Sequence, residues 1–204
     1  MVTHGRPSAS NPEKPSAMKV LTMNDDMLAR ACQRLERLVL QHGWKPDAVV
    51  GIASGGAVVA RRMFVGVPHA VVDCRRPGSD TKDRYPRLMA AVRRSPLWVR
   101  DGLRMLEAWA LGRKSEHEVT EPQFADGAAQ TLADAVFILI VDDACDSGST
   151  LRAVMDAVRK ISPERVVIKT AVITTTTYRP VVSPDFSLYR NRTLIRFPWS
   201  KDMK

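Results

Sequence analysis

Residues 137–150 read FILIVDDACDSGST, and this stretch carries the strongest structural signal in the chain. Apolar residues run without interruption over 135–141, which predicts a strand buried on both faces of a parallel sheet. Two adjacent carboxylates, Asp142 and Asp143, follow the strand directly. Small residues then form a turn that opens a helix, which we predict from Leu151 to Lys160. The stretch is therefore a strand, an acidic turn and a helix.

The turn over residues 146–150 has the composition of a phosphate-binding loop. Its backbone N–H groups and hydroxyls can surround one anion, and the positive end of the following helix attracts the same anion. Gly148 carries no side chain, so the backbone can come close to the anion. The adjacent carboxylates are electrostatically reasonable only where a sugar or a cation separates them from the phosphate. The Walker pattern GxxxxGK[ST] is absent from the sequence.

Strands and helices alternate on both sides of this stretch. Asn24 can cap a first helix that ends before Gly43 and has two acids in its first turn. We predict further strands over 48–53, 67–73, 166–174 and 193–197, a helix over 57–63 and two inserted helices within 85–114. This alternation predicts an α/β fold with a mostly parallel sheet flanked by helices. Residues 1–17 lack periodicity and are predicted to be a disordered tail, which leaves one domain over 18–204.

Composition excludes several classes of protein. Of 204 residues, 45% are hydrophobic and 26% charged, a balance typical of globular chains and not of disordered or fibrous ones. No apolar run reaches the roughly 18 residues of a membrane span, and the N-terminus lacks the apolar core of a secretion signal. We therefore expect a cytoplasmic protein. Three dispersed cysteines and four scattered histidines predict neither a disulfide framework nor a zinc site nor a catalytic triad.

Positive charge is concentrated in one segment. The chain has a formal net charge of +9, and residues 75–114 hold eleven Lys and Arg against four Asp and Glu. Such a segment could bind an anionic substrate, a polyphosphate or RNA, or it could be a solvated, arginine-rich helix face. Its three aromatic residues are too few for a base-stacking platform. Both interpretations stay open.

Two motifs resemble those of a known family. Residues 141–150 resemble the phosphoribosyl-pyrophosphate signature of the type I phosphoribosyltransferases, and residues 50–57, VGIASGGA, are similar to the pyrophosphate loop of that family. Residues 23–38 and 197–199 look like the corresponding parts of bacterial xanthine-guanine phosphoribosyltransferases. The similarity spans about 20–204, with a basic helical insertion at about 84–124 that matches poorly. The resemblance implies the fold of this family, in which a small hood accompanies the central sheet. It also implies a homo-oligomer such as a dimer, and no membrane partner.

The resemblance implies a role for each acidic residue. Asp142 and Asp143 would hold the ribose hydroxyls of the donor, phosphoribosyl pyrophosphate, directly or near Mg²⁺, the implied cofactor. Asp146 would face N7 of a 6-oxopurine as proton acceptor or donor. The resemblance thus implies a role in nucleotide metabolism, such as purine salvage. A carboxylate suits that place because the attacking nitrogen must lose a proton as the glycosidic bond forms. The alternative is that Asp146 only caps the following helix.

The remaining implied contacts lie on both motifs. The 5′-phosphate would be bound by Ser147, Gly148, Ser149 and Thr150, and the pyrophosphate by Ser54, Gly55 and Gly56, across a non-proline cis peptide. Arg75 and Arg76 follow a predicted strand and are either pyrophosphate contacts or ordinary surface arginines. The long insert from residue 75 to about 130 falls where this family keeps a mobile loop that closes over the donor and excludes water.

The acceptor side departs from the family pattern. Thr175 stands where these purine enzymes have a lysine that recognises the base, and with the other threonines of 174–177 it could hydrogen-bond an unusual acceptor instead. Lys169 lies earlier, within a predicted strand. Leu194 stands where the family has a stacking aromatic residue, so Tyr178 or Trp199 could stack on the base instead. Two functions remain open. One is transfer of 5-phosphoribosyl to a nitrogen of a 6-oxopurine or atypical base, and the other is a regulator that senses the same donor and binds nucleic acid through the basic insertion.

Overall fold

The computed structural model describes residues 19–74, 121–190 and 193–200. Over these residues the chain alternates between strands and helices, as the sequence predicted. The strands are β1 (Lys19–Thr22), β2 (Ala48–Ala53), β3 (His69–Asp73), β4 (Gln123–Phe124), β5 (Phe137–Cys145), β6 (Val167–Thr175), β7 (Phe186–Tyr189) and β8 (Thr193–Arg196). The helices are α1 (Asp25–Gln41), α2 (Gly55–Ala60), α3 (Ala128–Ala133) and α4 (Ser149–Ile161).

A six-stranded sheet in the order β4-β3-β2-β5-β6-β7 forms the centre of the fold. Neighbouring strands are parallel except at the edge, where β4 pairs antiparallel with β3. The terminal segments β1 and β8 pair in parallel as a separate two-stranded sheet, in keeping with a small hood. Because β2, β5 and β6 are adjacent and parallel, the loops after all three lie along one edge of the central sheet.

Helices cover both faces of the sheet and bury two apolar clusters. One cluster lies under α1 and α2 and includes Leu28 and Leu35 of α1, Leu139 of β5 and Ile173 of β6. The other lies under α3 and α4, where Leu132 and Val154 contact the opposite face. Helix α1 begins as predicted, since the Asn24 side chain accepts a hydrogen bond from Met27 N at 2.9 Å. The architecture is the predicted α/β sandwich of helices around a mostly parallel sheet.

Several predicted boundaries were wrong. Strand β5 continues past 141 to Cys145, because its pairing with β6 persists through the acidic residues where the apolar run ends. Helix α2 covers 55–60 and not 57–63, and β3 begins at His69. The strand at 123–124 lies where the end of a helical insertion was expected, and β1, α3 and β7 were not predicted. These elements are short, so periodicity carries little signal for them.

Other predictions concern residues that the structure does not describe. The basic segment 75–114 lies outside the described residues, together with Arg75, Arg76 and the helices predicted within 85–114. The same holds for residues 1–17, which were predicted to be a disordered tail. Among the described residues, no helix is long and apolar enough to cross a membrane.

Candidate active site

The two sequence motifs meet at the carboxyl edge of the sheet. Strands β2 and β5 are paired neighbours, so the loop after β2 lies beside the acidic end of β5. A Cβ atom on Gly56 would stand 2.6 Å from Val141 O and 2.7 Å from Asp142 Cα. A Cβ atom on Gly55 would overlap the Asp143 carboxylate. Only glycine therefore allows the loop 53–56 to pack against the acid pair, about 90 residues away in sequence.

The expected non-proline cis peptide is present in this loop. It joins Ala53 to Ser54, at the point where β2 ends and α2 begins one residue later. Ser54 is the N-cap residue of α2 and makes no side-chain capping hydrogen bond. The predicted pyrophosphate contacts Ser54, Gly55 and Gly56 are thus consecutive at the start of a helix beside the acid pair.

The two neighbouring carboxylates occupy different environments. Asp142 Oδ1 accepts a hydrogen bond from the Asp143 backbone N–H at 2.9 Å. Asp143 Oδ2 accepts a hydrogen bond from Trp199 Nε1 at 3.2 Å, which directs this carboxylate toward the C-terminal segment. Burial raises the pKa of the Asp143 carboxyl above its ordinary value, although hydrogen bonds with Asp142 and Trp199 act in the opposite direction.

The turn before α4 is built on a left-handed glycine. Gly148 has φ +80° and is the N-cap residue, and its carbonyl accepts the helical hydrogen bond from Arg152 N at 3.0 Å. A Cβ atom there would stand 2.5 Å from Val182 O and 2.8 Å from Val182 N. Glycine is thus required by the backbone conformation and by the close packing of the segment 180–182, whereas the sequence suggested only the approach of an anion.

Hydroxyl groups and amides cluster at this helix start. Ser147 Oγ accepts a hydrogen bond from Ser149 N at 3.3 Å and donates to Ser149 Oγ at 3.1 Å. The Thr150 side chain, one residue further on, is buried. The first amides of an α-helix have no backbone partner within the helix, so the start of α4 is suited to an anion that replaces the long hydrogen bond from Ser149 N to Ser147 Oγ. The four residues predicted to bind the 5′-phosphate are therefore contiguous at one helix N-terminus.

Asp146 is held by the loop that follows β6. Thr176 Oγ1 donates to Asp146 Oδ1 at 2.8 Å, and Thr176 N donates to Cys145 O at 3.0 Å. The register of the sheet explains this contact, because Cys145 and Thr175 are paired and the next residues of both strands are therefore neighbours. Asp146 lies two residues before the N-cap residue of α4, which is Gly148. Its carboxylate is thus held at the start of the turn by the loop after β6.

The structure places the other acceptor candidates in different surroundings. Thr175 is buried, and its hydroxyl shares a hydrogen bond of 3.0 Å with Ser187 Oγ. The ammonium group of Lys169 lies over the rings of Trp44 and Phe186, at 5.7 and 5.4 Å, toward the other end of β6. Lys169 therefore lies away from the carboxyl end of β6, where Thr175 and Thr176 are. The role of Thr175 in acceptor recognition stays a prediction.

The two aromatic candidates also differ. Trp199 stacks on Phe197 with ring centroids 4.9 Å apart and planes 1° apart, and its N–H is bound to Asp143. Tyr178 lies two residues after Thr176 with 58% of its surface exposed. Tyr178 is therefore the more exposed of the two side chains.

The acid pair fits a magnesium ion only together with a substrate. Among the described residues, no group of three or more His, Cys, Asp or Glu side chains is arranged to hold a metal ion. Mg²⁺ is commonly bound by one or two carboxylates together with substrate phosphates and water, and Asp142 and Asp143 supply such carboxylates. The donor set present therefore suits a metal that arrives with a polyphosphate substrate.

Two contacts at the site were not predicted from the sequence. One is the contact of Thr176 with Asp146, which are 30 positions apart in sequence. The other is the contact of Trp199 with Asp143, which are 56 positions apart. The first follows from the alignment of β5 with β6, since Asp146 and Thr176 are the residues that directly follow the paired ends of these strands. No pattern in the sequence indicates the second.

Comparison with known proteins identifies the family of the chain. Residues 23–201 match the model of the phosphoribosyl transferase domain, and the chain belongs to this family, in its type I branch. Among curated proteins, none matches the chain.

Three solved structures share the fold. A purine phosphoribosyltransferase from Pyrococcus horikoshii is 22% identical, with TM-score 0.57 and coverage of 90% of this chain and 96% of the other. A Helicobacter pylori xanthine-guanine-hypoxanthine phosphoribosyltransferase is 15% identical, with TM-score 0.56 and coverage of 92% and 96%. A Neisseria gonorrhoeae hypothetical protein with bound ppGpp is 19% identical, with TM-score 0.55 and coverage of 90% of each chain.

Proposed function

We propose that this protein transfers the 5-phosphoribosyl group from phosphoribosyl pyrophosphate to a ring nitrogen of a nucleobase-like acceptor and releases pyrophosphate. The observation that carries the proposal is the direct packing of the loop 53–56 on the acid pair. This packing gathers a phosphate-binding turn, two carboxylates and a second anion-binding loop at one edge of the sheet. A sugar that bears a phosphate at one end and a pyrophosphate at the other matches that arrangement.

Each part of the donor has a proposed partner. The 5′-phosphate binds the amides and hydroxyls of residues 147–150 at the start of α4. The ribose hydroxyls donate to the acid pair, with Asp142 as the nearer partner because Asp143 is directed toward Trp199. The pyrophosphate lies against Ser54, Gly55 and Gly56. Arg75 and Arg76 are further proposed pyrophosphate contacts.

The reaction replaces one bond at the anomeric carbon by another. The bond from this carbon to the pyrophosphate oxygen breaks, its electron pair leaves with pyrophosphate, and a ring nitrogen of the acceptor supplies the electron pair of the new bond. Positive charge develops on the sugar, so fixed carboxylates close to it stabilise the transition state. Asp142 and Asp143 would hold Mg²⁺ together with the donor, and the metal would supply positive charge that neutralises the leaving pyrophosphate.

Asp146 is the proposed proton acceptor. The nitrogen that attacks the sugar loses its proton as the new bond forms, and a carboxylate at hydrogen-bond distance can take it. Thr176 holds one carboxylate oxygen of Asp146 at 2.8 Å, so the side chain has a defined orientation before the acceptor binds. Pre-orientation of this kind removes reorganisation from the reacting state.

A 6-oxopurine is the first acceptor to test. The structural neighbours include proteins described as purine and as xanthine-guanine-hypoxanthine phosphoribosyltransferases. Position 175 is a threonine and not a lysine, which favours recognition of the base through other hydrogen-bond donors. Tyr178 is the proposed stacking partner of the base. Because this lysine is missing, the proposed acceptor can also be an atypical base.

The test is pyrophosphate release from the donor in the presence of Mg²⁺ across hypoxanthine, guanine, xanthine, adenine, orotate and uracil. We expect release with at least one base, and its loss in Asp146→Asn. The matched control is Asp156→Asn, since Asp156 lies on the exposed face of α4 and pairs only with neighbouring arginines in the described structure. Absence of release with every base, or equal activity of the two variants, would contradict the proposal.

The regulatory alternative depends on the basic segment 75–114, which lies outside the described residues. A regulator that only senses the donor has no need of a proton acceptor at the position of Asp146, so the site favours the enzyme. Filter binding of RNA and DNA across salt concentrations separates the two, because binding through phosphates weakens steeply with salt. Retention near physiological salt together with no transferase activity would favour the regulator.

A further inference from the structure

Three segments that are distant in sequence meet at the Asp143 carboxylate. Trp199 of the C-terminal segment donates its indole N–H to Asp143 Oδ2 at 3.2 Å. Gly55, in the loop after β2, packs against the same carboxylate so closely that a Cβ atom would overlap it. That hypothetical Cβ atom would also stand 3.0 Å from Trp199 Nε1. The hydrogen bond therefore lies directly beneath the proposed pyrophosphate loop.

The Trp199 ring is itself held in place. Its stacking partner Phe197 is buried in the core cluster under α1, and the two rings are parallel. A tight turn closes the segment, with Ser200 N donating to Phe197 O at 2.8 Å and Phe197 N donating to Ser200 Oγ at 3.0 Å. The indole N–H consequently has a fixed direction before any ligand binds.

Asp143 thereby differs from its neighbour in what it can do. One of its oxygens is bound by an indole and packed against glycine, whereas Asp142 lies on the adjacent position of the strand and packs against Gly56. The two carboxylates therefore have different partners and are not equivalent. One carboxylate is placed to hold the architecture of the site while the other is placed to contact the sugar.

We propose that Trp199 is a positioning residue for the sugar donor: its indole N–H holds Asp143 against Gly55 and so keeps the acid pair and the pyrophosphate loop in register. This inference rests on the proposed function. It predicts that loss of the indole N–H weakens binding of the donor and leaves binding of the acceptor base largely unchanged. Trp199 does not contact the reacting atoms and acts through Asp143.

The direct test compares Trp199→Phe with Trp44→Phe. Phenylalanine at position 199 preserves an aromatic ring for the stack on Phe197 and removes the N–H donor together with part of the indole ring, and Trp44→Phe makes the same change in ring size away from the site. Trp44 is a buried control that packs edge-on to Phe137, the first residue of β5, about 20 Å along the strand from Asp143. We expect Trp199→Phe to raise the calorimetric Kd and the KM for phosphoribosyl pyrophosphate about tenfold, as for a lost hydrogen bond to a charged group. The KM for the base stays within about twofold.

A spectroscopic readout shows the contact independently of activity. In protein labelled with ¹⁵N at tryptophan, the indole resonance missing from Trp199→Phe identifies Trp199. We expect Asp143→Asn to shift that resonance and Asp156→Asn to leave it in place. Gly55→Ala serves as a second variant, because its methyl group would displace the carboxylate and is expected to shift the same resonance.

The outcomes separate this inference from the proposed function. Equal donor affinity in the two tryptophan variants, or an indole resonance that does not respond to Asp143→Asn, would overturn the role of Trp199 while wild-type activity stands. No donor binding by the wild-type protein would overturn the proposed function and this role with it, even where the resonance shows the hydrogen bond. A tenfold loss of donor affinity confined to Trp199→Phe supports the inference.

Discussion

Replacement of Gly148 by alanine tests the packing of the phosphate-binding turn quantitatively. A non-glycine residue at φ +80° costs roughly 1–2 kcal/mol in backbone conformation. The new methyl group would also stand 2.5 Å from Val182 O, and relief of such overpacking typically costs about 1–3 kcal/mol. Together these terms predict that Gly148→Ala lowers the free energy of unfolding by about 3 kcal/mol.

Gly127 provides a matched control for this prediction. It has φ +81° and is also an N-cap residue, but a Cβ atom there would meet nothing within 4 Å. Gly127→Ala should therefore lose only the conformational part, about 1–2 kcal/mol. Urea denaturation of the three proteins measures the differences. Equal destabilisation of both variants would refute the contact between Gly148 and the 180–182 segment, and with it the explanation given for this glycine.

Two further predictions concern Thr176 and Cys32. Thr176→Val removes the hydroxyl that donates to Asp146 and should lower kcat about tenfold in steady-state assays. Thr176→Ser keeps the hydroxyl and should retain most of the activity. Equal activity of both variants would show that this hydrogen bond does not orient Asp146. Burial raises the pKa of the Cys32 thiol to about 11, so the reactive thiolate is scarce at pH 8 and increases only as the pH approaches that value. We expect Cys32 to resist alkylation in the native protein at pH 8 and to react after unfolding in urea, as measured by peptide mass spectrometry, and rapid native labelling would contradict its buried position.

The central strands were predictable because their chemistry is continuous along the chain. Strand β2 and the apolar part of β5 are uninterrupted apolar runs, and in both cases the structure places them inside the sheet. The last residues of β5 were missed because Asp142 and Asp143 end the apolar run, although the backbone pairing with β6 continues. Apolar patterns report which side chains are buried and do not report where backbone pairing stops.

Contacts between distant segments could not be predicted in the same way. The pairing of β1 with β8 joins residues near opposite ends of the domain, and each strand has only four residues. The motif residues were predicted from local sequence and a family resemblance, whereas the hydrogen bond of Trp199 to Asp143 depends on how the C-terminal segment folds back. Such contacts are determined by the packing of the whole domain.

The most direct measurement is a crystal structure of the protein with phosphoribosyl pyrophosphate and Mg²⁺ bound. The proposed function predicts electron density for the 5′-phosphate at the amides of residues 147–150, for the ribose hydroxyls beside Asp142, and for the pyrophosphate against Ser54 and Gly55. Density for the donor at another place, or a start of α4 occupied by the protein's own side chains under saturating donor, would contradict it.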